Sequence, residues 1–154
     1  MPSQPGSELR LYFDGGCDPN PGGIATYGFL VYSGRTVKVR KGGSAAEPGT
    51  PEATNNVAEY MGLIRGLEYI LTNGLGKRSL AVFGDSKLVI GQITGEMKVK
   101  NPKMKTLHTQ AMSLVEELSD VTFSHIYREE NREADRLATE ARQEIRWKQR
   151  GKRR

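Results

Sequence analysis

The order of local patterns predicts an α/β domain on a five-stranded mixed sheet, three antiparallel strands followed by two parallel ones, flanked by helices. Three observations carry this. The chain opens with three β-rich runs separated by turn signals (9–17, 24–33 and 36–44), the pattern of a hairpin-joined meander. From residue 55 onward, helical and strand periodicities alternate; a strand that follows a helical crossover pairs in parallel. A length of 154 residues with no internal repeat suits a single core.

The first strand, Leu9-Arg-Leu-Tyr-Phe-Asp14, ends at Gly15-Gly16-Cys17, and Asp18-Pro-Asn-Pro-Gly-Gly supplies a strong break. Residues 24–33 form the second strand, Ser33-Gly34-Arg35 the hairpin, and 36–44 the third. A loop rich in Gly, Pro and Ala follows at 45–53. Val57, Met61, Ile64, Leu67 and Leu71 then recur at helical spacing, with Leu63 and Ile70 widening the stripe; a helix over 55–72 is therefore buried over much of its surface. Gly62 and Gly66, one turn apart, let it approach a sheet closely, and Asn73-Gly74 ends it. A fourth strand is expected at 79–85, a short helix at 86–94 and a longer one at 103–119. Val121-Thr-Phe-Ser-His-Ile-Tyr127 alternates as the fifth strand. A last helix begins near Asn131, with Ala134, Leu137, Ala138, Ala141 and Ile145 inward.

This divides the chain into a flexible N-terminus (1–8), a folded domain (9–145) and a basic C-terminal tail (146–154). The net charge is +5, which favours a polyanionic partner. Seven basic residues against one acid, Glu144, fall between Arg142 and Arg154, a stretch that adds salt-dependent affinity for nucleic acid without reading sequence. No stretch approaches the roughly 20 apolar residues of a membrane-spanning helix. The N-terminus lacks the apolar core of a signal peptide, and the single cysteine, Cys17, forbids an internal disulfide. A cytoplasmic, monomeric protein with no membrane partner is expected, with Cys17 a small residue packed beside a turn.

Four acids stand where an acid needs a reason. Asp14 ends an apolar strand expected in mid-sheet, where aspartate is depleted and burial without a counter-charge is costly. Asp85 closes a second apolar strand; Glu59 and Asp135 lie in the expected first turns of helices. Each has a bland alternative. Asn56 and Glu59 have the spacing of a capping box, Asp135 is a first-turn acid, and Asp85-Ser86 reads as an N-cap. No such alternative covers all four together. In open sheets of this type, sites form beyond the carboxyl ends of the strands near the topological switch point. Converging acids without histidine or cysteine partners are hard ligands, suited to Mg²⁺ or Mn²⁺ and hence to phosphate-ester chemistry.

The chain resembles type 1 ribonuclease H in its short form, as in archaeal and some bacterial members. The resemblance covers residues 9–145 and rests on Tyr12-Phe-Asp14-Gly-Gly with Asn20-Pro-Gly-Gly, Thr54-Asn55-Asn56-Val-Ala-Glu59-Tyr, Gly84-Asp85-Ser86-Lys-Leu-Val, and Arg128-Glu-Glu-Asn131-Arg-Glu-Ala-Asp135-Arg-Leu-Ala. It implies the ribonuclease H fold and endonucleolytic cleavage of the RNA strand of RNA–DNA hybrids, leaving 5′-phosphate and 3′-hydroxyl ends. Two Mg²⁺ ions are implied: Asp14 bridges both, Glu59 and Asp85 hold the ion that activates water, and Asp135 helps hold the ion beside the leaving 3′-oxygen. Asn20, Asn55 and Asn56 match positions that contact the hybrid, and Thr54 one that binds a DNA-strand phosphate. Lys87 stands where many members carry glutamine, exchanging a groove contact for a phosphate contact. The segment from Thr94 to Lys105 is shorter than the basic protrusion of longer members and has no aromatic residue. His125 reads as a strand residue alternating with Phe123 and Tyr127, or as the auxiliary histidine many members carry; Arg128 is the alternative for that role. Double-stranded RNA is a further possible substrate. Two other readings are a 3′–5′ exonuclease of the same fold and a non-catalytic hybrid-binding module.

Overall fold

The structure, a computed structural model, describes residues 8–152. Three strands, β1 (Leu9–Asp18), β2 (Ile24–Ser33) and β3 (Thr36–Ser44), form the meander. There follow α1 (Asn55–Thr72), β4 (Ser79–Gly84), α2 (Lys87–Thr94), α3 (Pro102–Val115), β5 (Asp120–His125), a 3₁₀ turn at Arg128–Glu130, and α4 (Arg132–Lys152). The sheet order is β3-β2-β1-β4-β5. β1 pairs antiparallel with β2 and parallel with β4, and β4 pairs parallel with β5. The mixed sheet is thus as the sequence predicts, with β1 at its centre.

Leu9, Leu11 and Phe13 are fully buried and join Tyr60, Leu63, Ile64, Leu67 and Ile70 of α1 in the main core. Side chains alternate across a strand, so Asp14 faces the other side of the sheet, where α4 packs on β2, β1 and β3. Both helices approach closely because a glycine lies at each contact, Gly62 in α1 and Gly28 in β2. A Cβ at Gly62 would stand 2.7 Å from the Asp14 carbonyl oxygen, and one at Gly28, the register partner of Asp14, 2.4 Å from the Ala134 carbonyl oxygen.

Several boundaries differ from expectation. α1 begins at Asn55 with Thr54 as its N-cap, the Thr54 hydroxyl accepting from Val57 N at 3.2 Å. Glu59 therefore lies in the second turn, and Asn56 and Glu59 do not form a capping box. Ser86, not Asp85, caps α2, its hydroxyl accepting from Val89 N. α3 stops at Val115 rather than 119, because the chain tightens through Glu117 N–Leu114 O and Leu118 N–Val115 O bonds before Ser119 N reaches Gly76 O. β5 ends at His125 rather than Tyr127. α4 continues to Lys152, so residues 146–152 of the expected tail are helical. The expected flexible N-terminus lies, Glu8 apart, outside the described residues, as do Arg153 and Arg154. Among the described residues no helix is long and apolar enough to cross a membrane.

Candidate metal centre

The site forms where β4 leaves β1. Their parallel pairing ends at Phe13–Gly84, whereas β1 runs on against β2 to Asp18. Asp14 is the first β1 residue past that separation, and Asp85 is the residue with which β4 turns away. The close packing of α1 brings Glu59 into the same gap. Carboxylate oxygens of Asp14, Glu59 and Asp85 lie within 4.8 Å of one another. Asp135, early in α4, lines the same cavity of about 470 Å³, outside that tight triad.

Separation of the strands frees the Phe13 carbonyl, and Asn131 takes it: its Nδ2 donates to Phe13 O at 2.9 Å. Asn131 is 1% exposed, and its backbone carbonyl accepts from Asp135 N at 3.1 Å. One side chain thus ties the start of α4 to the strand that carries Asp14, and so positions Asp135.

The electrostatics are those of crowded acids without a counter-charge among them. Burial first, then the charges of Asp85, Glu59 and Asp135, push the Asp14 carboxyl up to about 8 against a hydrogen bond from the Gly15 backbone. Burial and the charge of Asp85 push Glu59 to about 8, opposed by a hydrogen bond from Ser86 and by the Arg128 guanidinium. Glu59 Oε2 is buried and has no hydrogen-bond partner. A buried carboxylate oxygen left in this state is costly, and a divalent cation relieves both the repulsion and the missing contact. The donor set is all oxygen, which selects hard ions.

The auxiliary candidates also line this cavity. His125 is exposed at the end of β5, its Nε2 3.2 Å from the Asp85 carbonyl oxygen. Arg128 opens the 3₁₀ turn and acts on Glu59 as described. His125 is thus a strand residue that also lines the cavity.

The family model described as reverse transcriptase-like matches residues 14–141. This match takes in all four carboxylates and most of the fold. The chain belongs to this reverse transcriptase-like family. Ribonuclease H relatives 33% and 37% identical to it place it with type 1 ribonuclease H. It is 40% identical over 128 residues to a bifunctional protein of Mycobacterium tuberculosis strain H37Rv, covering 83% of this chain and 34% of that protein. To a ribonuclease HI of Halobacterium salinarum it is 37% identical over 138 residues, covering 88% of this chain and 65% of that one. The chain thus spans about a third of the mycobacterial relative and about two thirds of the archaeal one. The solved structure of LC11-RNase H1 in complex with an RNA/DNA hybrid superposes with a TM-score of 0.79 at 33% identity, over 89% of this chain and 98% of that one.

Asn20, Thr54, Asn55 and Asn56 come together. They line a neighbouring groove of about 780 Å³ with Lys98, Lys100 and Lys103, and Asn55 lines the metal cavity as well. Asn20 Oδ1 accepts from Asn55 N at 3.0 Å, and Asn55 Oδ1 from Cys17 N at 2.8 Å. These bonds use the amide oxygens, so the NH₂ groups are what remains to donate. Thr54 is occupied as a helix cap. Lys87, exposed at the first residue of α2, lines none of the cavities described here. Cys17 is buried, donating to the Pro19 and Ala53 carbonyls, in keeping with a packing role. Two residues were not singled out by the sequence reading. Asn131 appeared there only as part of a motif. Arg142 was counted with the basic tail, although it stands seven residues after Asp135 and so on the same helix face; it lines the metal cavity.

Proposed function

We propose that the chain is an endoribonuclease that hydrolyses the RNA strand of RNA–DNA hybrids at a divalent metal centre, leaving 5′-phosphate and 3′-hydroxyl ends. The observation that carries this reading is the meeting of Asp14, Glu59 and Asp85, with Asp135 in the same cavity. The residues fit Mg²⁺, with Mn²⁺ as a substitute: the donors are hard oxygens, and a buried Glu59 oxygen lacks a partner. Asp14 would be shared by two ions, Glu59 and Asp85 would hold one, and Asp135 would help hold the other. When bound, the ions supply positive charge to the scissile phosphate and make water a nucleophile at neutral pH.

The chain's own groups do the rest. Asn131 holds Asp135 in register with Asp14. Arg128 adds positive charge beside Glu59, which favours the ionised carboxylate that a metal needs. His125 is held against a main-chain carbonyl; a carbonyl accepts only, so Nε2 carries the proton in that bond and Nδ1 is left for exchange with the solvent or the product. The amides of Asn20, Asn55 and Asn56 read the shallow minor groove, where 2′-hydroxyls distinguish RNA from DNA. Thr54 and the lysines at 98, 100 and 103 follow phosphates of the DNA strand, and Lys87 contacts a phosphate at the rim. LC11-RNase H1, similar over nearly the whole chain, is described with an RNA/DNA hybrid bound, which supports the same partner here. A monomeric, cytoplasmic enzyme suits this reading.

The test is a strand-labelled cleavage assay on hybrid, duplex RNA and duplex DNA, with Mg²⁺ and with chelator. Metal-dependent internal cleavage of RNA in a hybrid with blocked ends is expected. Products only from free ends would make the chain a 3′–5′ exonuclease, and tight binding with no cleavage a hybrid-binding module. The duplex-RNA arm decides whether that substrate is also cut.

A further inference from the structure

We propose that the C-terminal half of α4 is a second nucleic-acid-binding ridge, gripping phosphates of the RNA strand beside the scissile bond. The inference rests on the hybrid-cleaving reading above and concerns a surface outside the carboxylates and the asparagine groove. Arg142, Arg146 and Arg150 recur every four residues on α4. That spacing puts them on one face with a rise of about 6 Å per step. Arg142 lines the metal cavity. Arg146 and Arg150 line the next one, about 420 Å³, against Gly22 and Gly23, and Asp18 lines both cavities. The arginines therefore form a line that starts beside the carboxylates and leads away from them.

Charge pairing distinguishes this face from an ordinary solvated one. Elsewhere on α4, Arg136 pairs with Glu133 and Glu140, and Lys148 with Glu144. Among the described residues, Arg142 and Arg150 have no acid partner. Arg146 has one, Asp18 at 3.2 Å, with side chains 37% and 64% exposed; an ion pair this open to solvent is worth little and yields to a phosphate. Guanidinium groups bind phosphate in a bidentate manner. Which strand they meet follows from position. The lysines at 98, 100 and 103 line the groove beyond Asn55 and do not reach the metal cavity; with the asparagines in the minor groove between the strands, they suit the uncut strand. The ridge shares Arg142 with the cavity where the scissile phosphate lies, and so follows the strand being cut.

The experiment measures hybrid binding by fluorescence anisotropy in chelator, from 50 to 200 mM salt, for the wild-type chain and for Arg142→Gln/Arg146→Gln/Arg150→Gln. Losing three phosphate contacts should lower the slope of log affinity against log salt by 2 to 3, so that the wild type loses roughly 40-fold more affinity than the variant across that range. Arg136→Gln removes one such charge from another face and should leave the slope unchanged. Lysine at the same three positions should restore it, which separates charge from packing and folding. Neutral methylphosphonate linkages flanking the cut in the RNA strand should reproduce the loss, and the same linkages in the DNA strand should not. A triple variant with the wild-type slope, a slope that Arg136→Gln lowers equally, or a loss tied to the DNA strand would overturn the ridge while hybrid cleavage by the wild type stands. A wild-type chain that neither binds nor cuts hybrid would overturn both readings.

Discussion

Asp14 concentrates the physics of the site. It is 6% exposed, lies on the central strand, and is raised to about 8 by burial and by three like charges. Asp14→Asn keeps the shape and removes the charge. Hybrid cleavage should fall to background while circular dichroism stays native, because one of the three meeting carboxylates is gone; undiminished turnover would refute the proposed mechanism. The same change should raise the melting temperature of the metal-free protein. Each unit of pKa shift is worth about 1.4 kcal/mol; allowing for relaxation, a gain on the order of 2 kcal/mol, or ~4–8 °C, is expected, and a clear loss would count against a crowded acidic cluster. Asn131 makes the complementary case. Asn131→Ala strands the Phe13 carbonyl in the interior, a cost of about 1–3 kcal/mol. It should also weaken Mg²⁺ dependence more than hybrid binding in chelator, since it releases Asp135 and touches no groove residue; equal losses in both would make its role merely structural. The four acids stood out in the sequence because Asp14 and Asp85 end apolar strands and Glu59 and Asp135 lie near the starts of helices. Asn131 and Arg142 did not, since the need for one arises from where two strands part and for the other from which way a helix face points.

At the scale of elements, the catalytic geometry depends on how closely two helices approach the sheet. Gly28 faces α4 where a Cβ would lie 2.4 Å from the Ala134 carbonyl and 2.8 Å from Ala138 N. Backbone cannot rotate aside as a side chain does, so Gly28→Ala should push α4 outward. Overpacking of this kind costs about 1–3 kcal/mol. The resulting shift of Asp135 should cut activity at least tenfold at a temperature where the variant is fully folded, with a higher Mg²⁺ requirement. An unshifted Mg²⁺ titration would show that α4 absorbs the methyl elsewhere. The five strands, their mixed pairing and all four helices were legible from periodicity, as was the close approach of α1 through Gly62. The ends of α3 and α4 were not. The apolar stripe of α3 persists to Leu118, which still packs on the core, so periodicity has no mark where the backbone leaves the helix. The end of α4 fails in the opposite sense. Arg, Lys and Gln beyond Ile145 carry no apolar period, yet they are good helix formers and extend a helix already nucleated.

For the whole molecule, the raised carboxyls make stability a function of pH and of metal. A folded-state pKa above the unfolded value means that the folded chain holds protons the unfolded chain has released. For Asp14 and Glu59 the window runs from their ordinary values, 3.8 and 4.5, to about 8. Their contribution is fully present below pH of about 4, declines as the pH rises through that window, and is gone above it. The melting temperature of the metal-free wild type should therefore fall relative to that of Asp14→Asn between about pH 4 and about pH 8, and then run parallel to it. Taking the difference between the two proteins cancels surface groups such as Glu52, whose carboxyl is shifted downward by a backbone hydrogen bond and then by Lys103, and Glu133, shifted downward by Arg136. Magnesium should reverse the trend for the wild type alone. Its binding requires the ionised carboxylates and expels their protons, so the rise in melting temperature on adding Mg²⁺ should grow from pH 5 to pH 9 in the wild type and stay small in Asp14→Asn. Differential scanning fluorimetry across this range, with Mg²⁺ and with chelator, measures both curves. A magnesium increment independent of pH, or one equal in the two proteins, would place the stabilising ion somewhere other than among these acids.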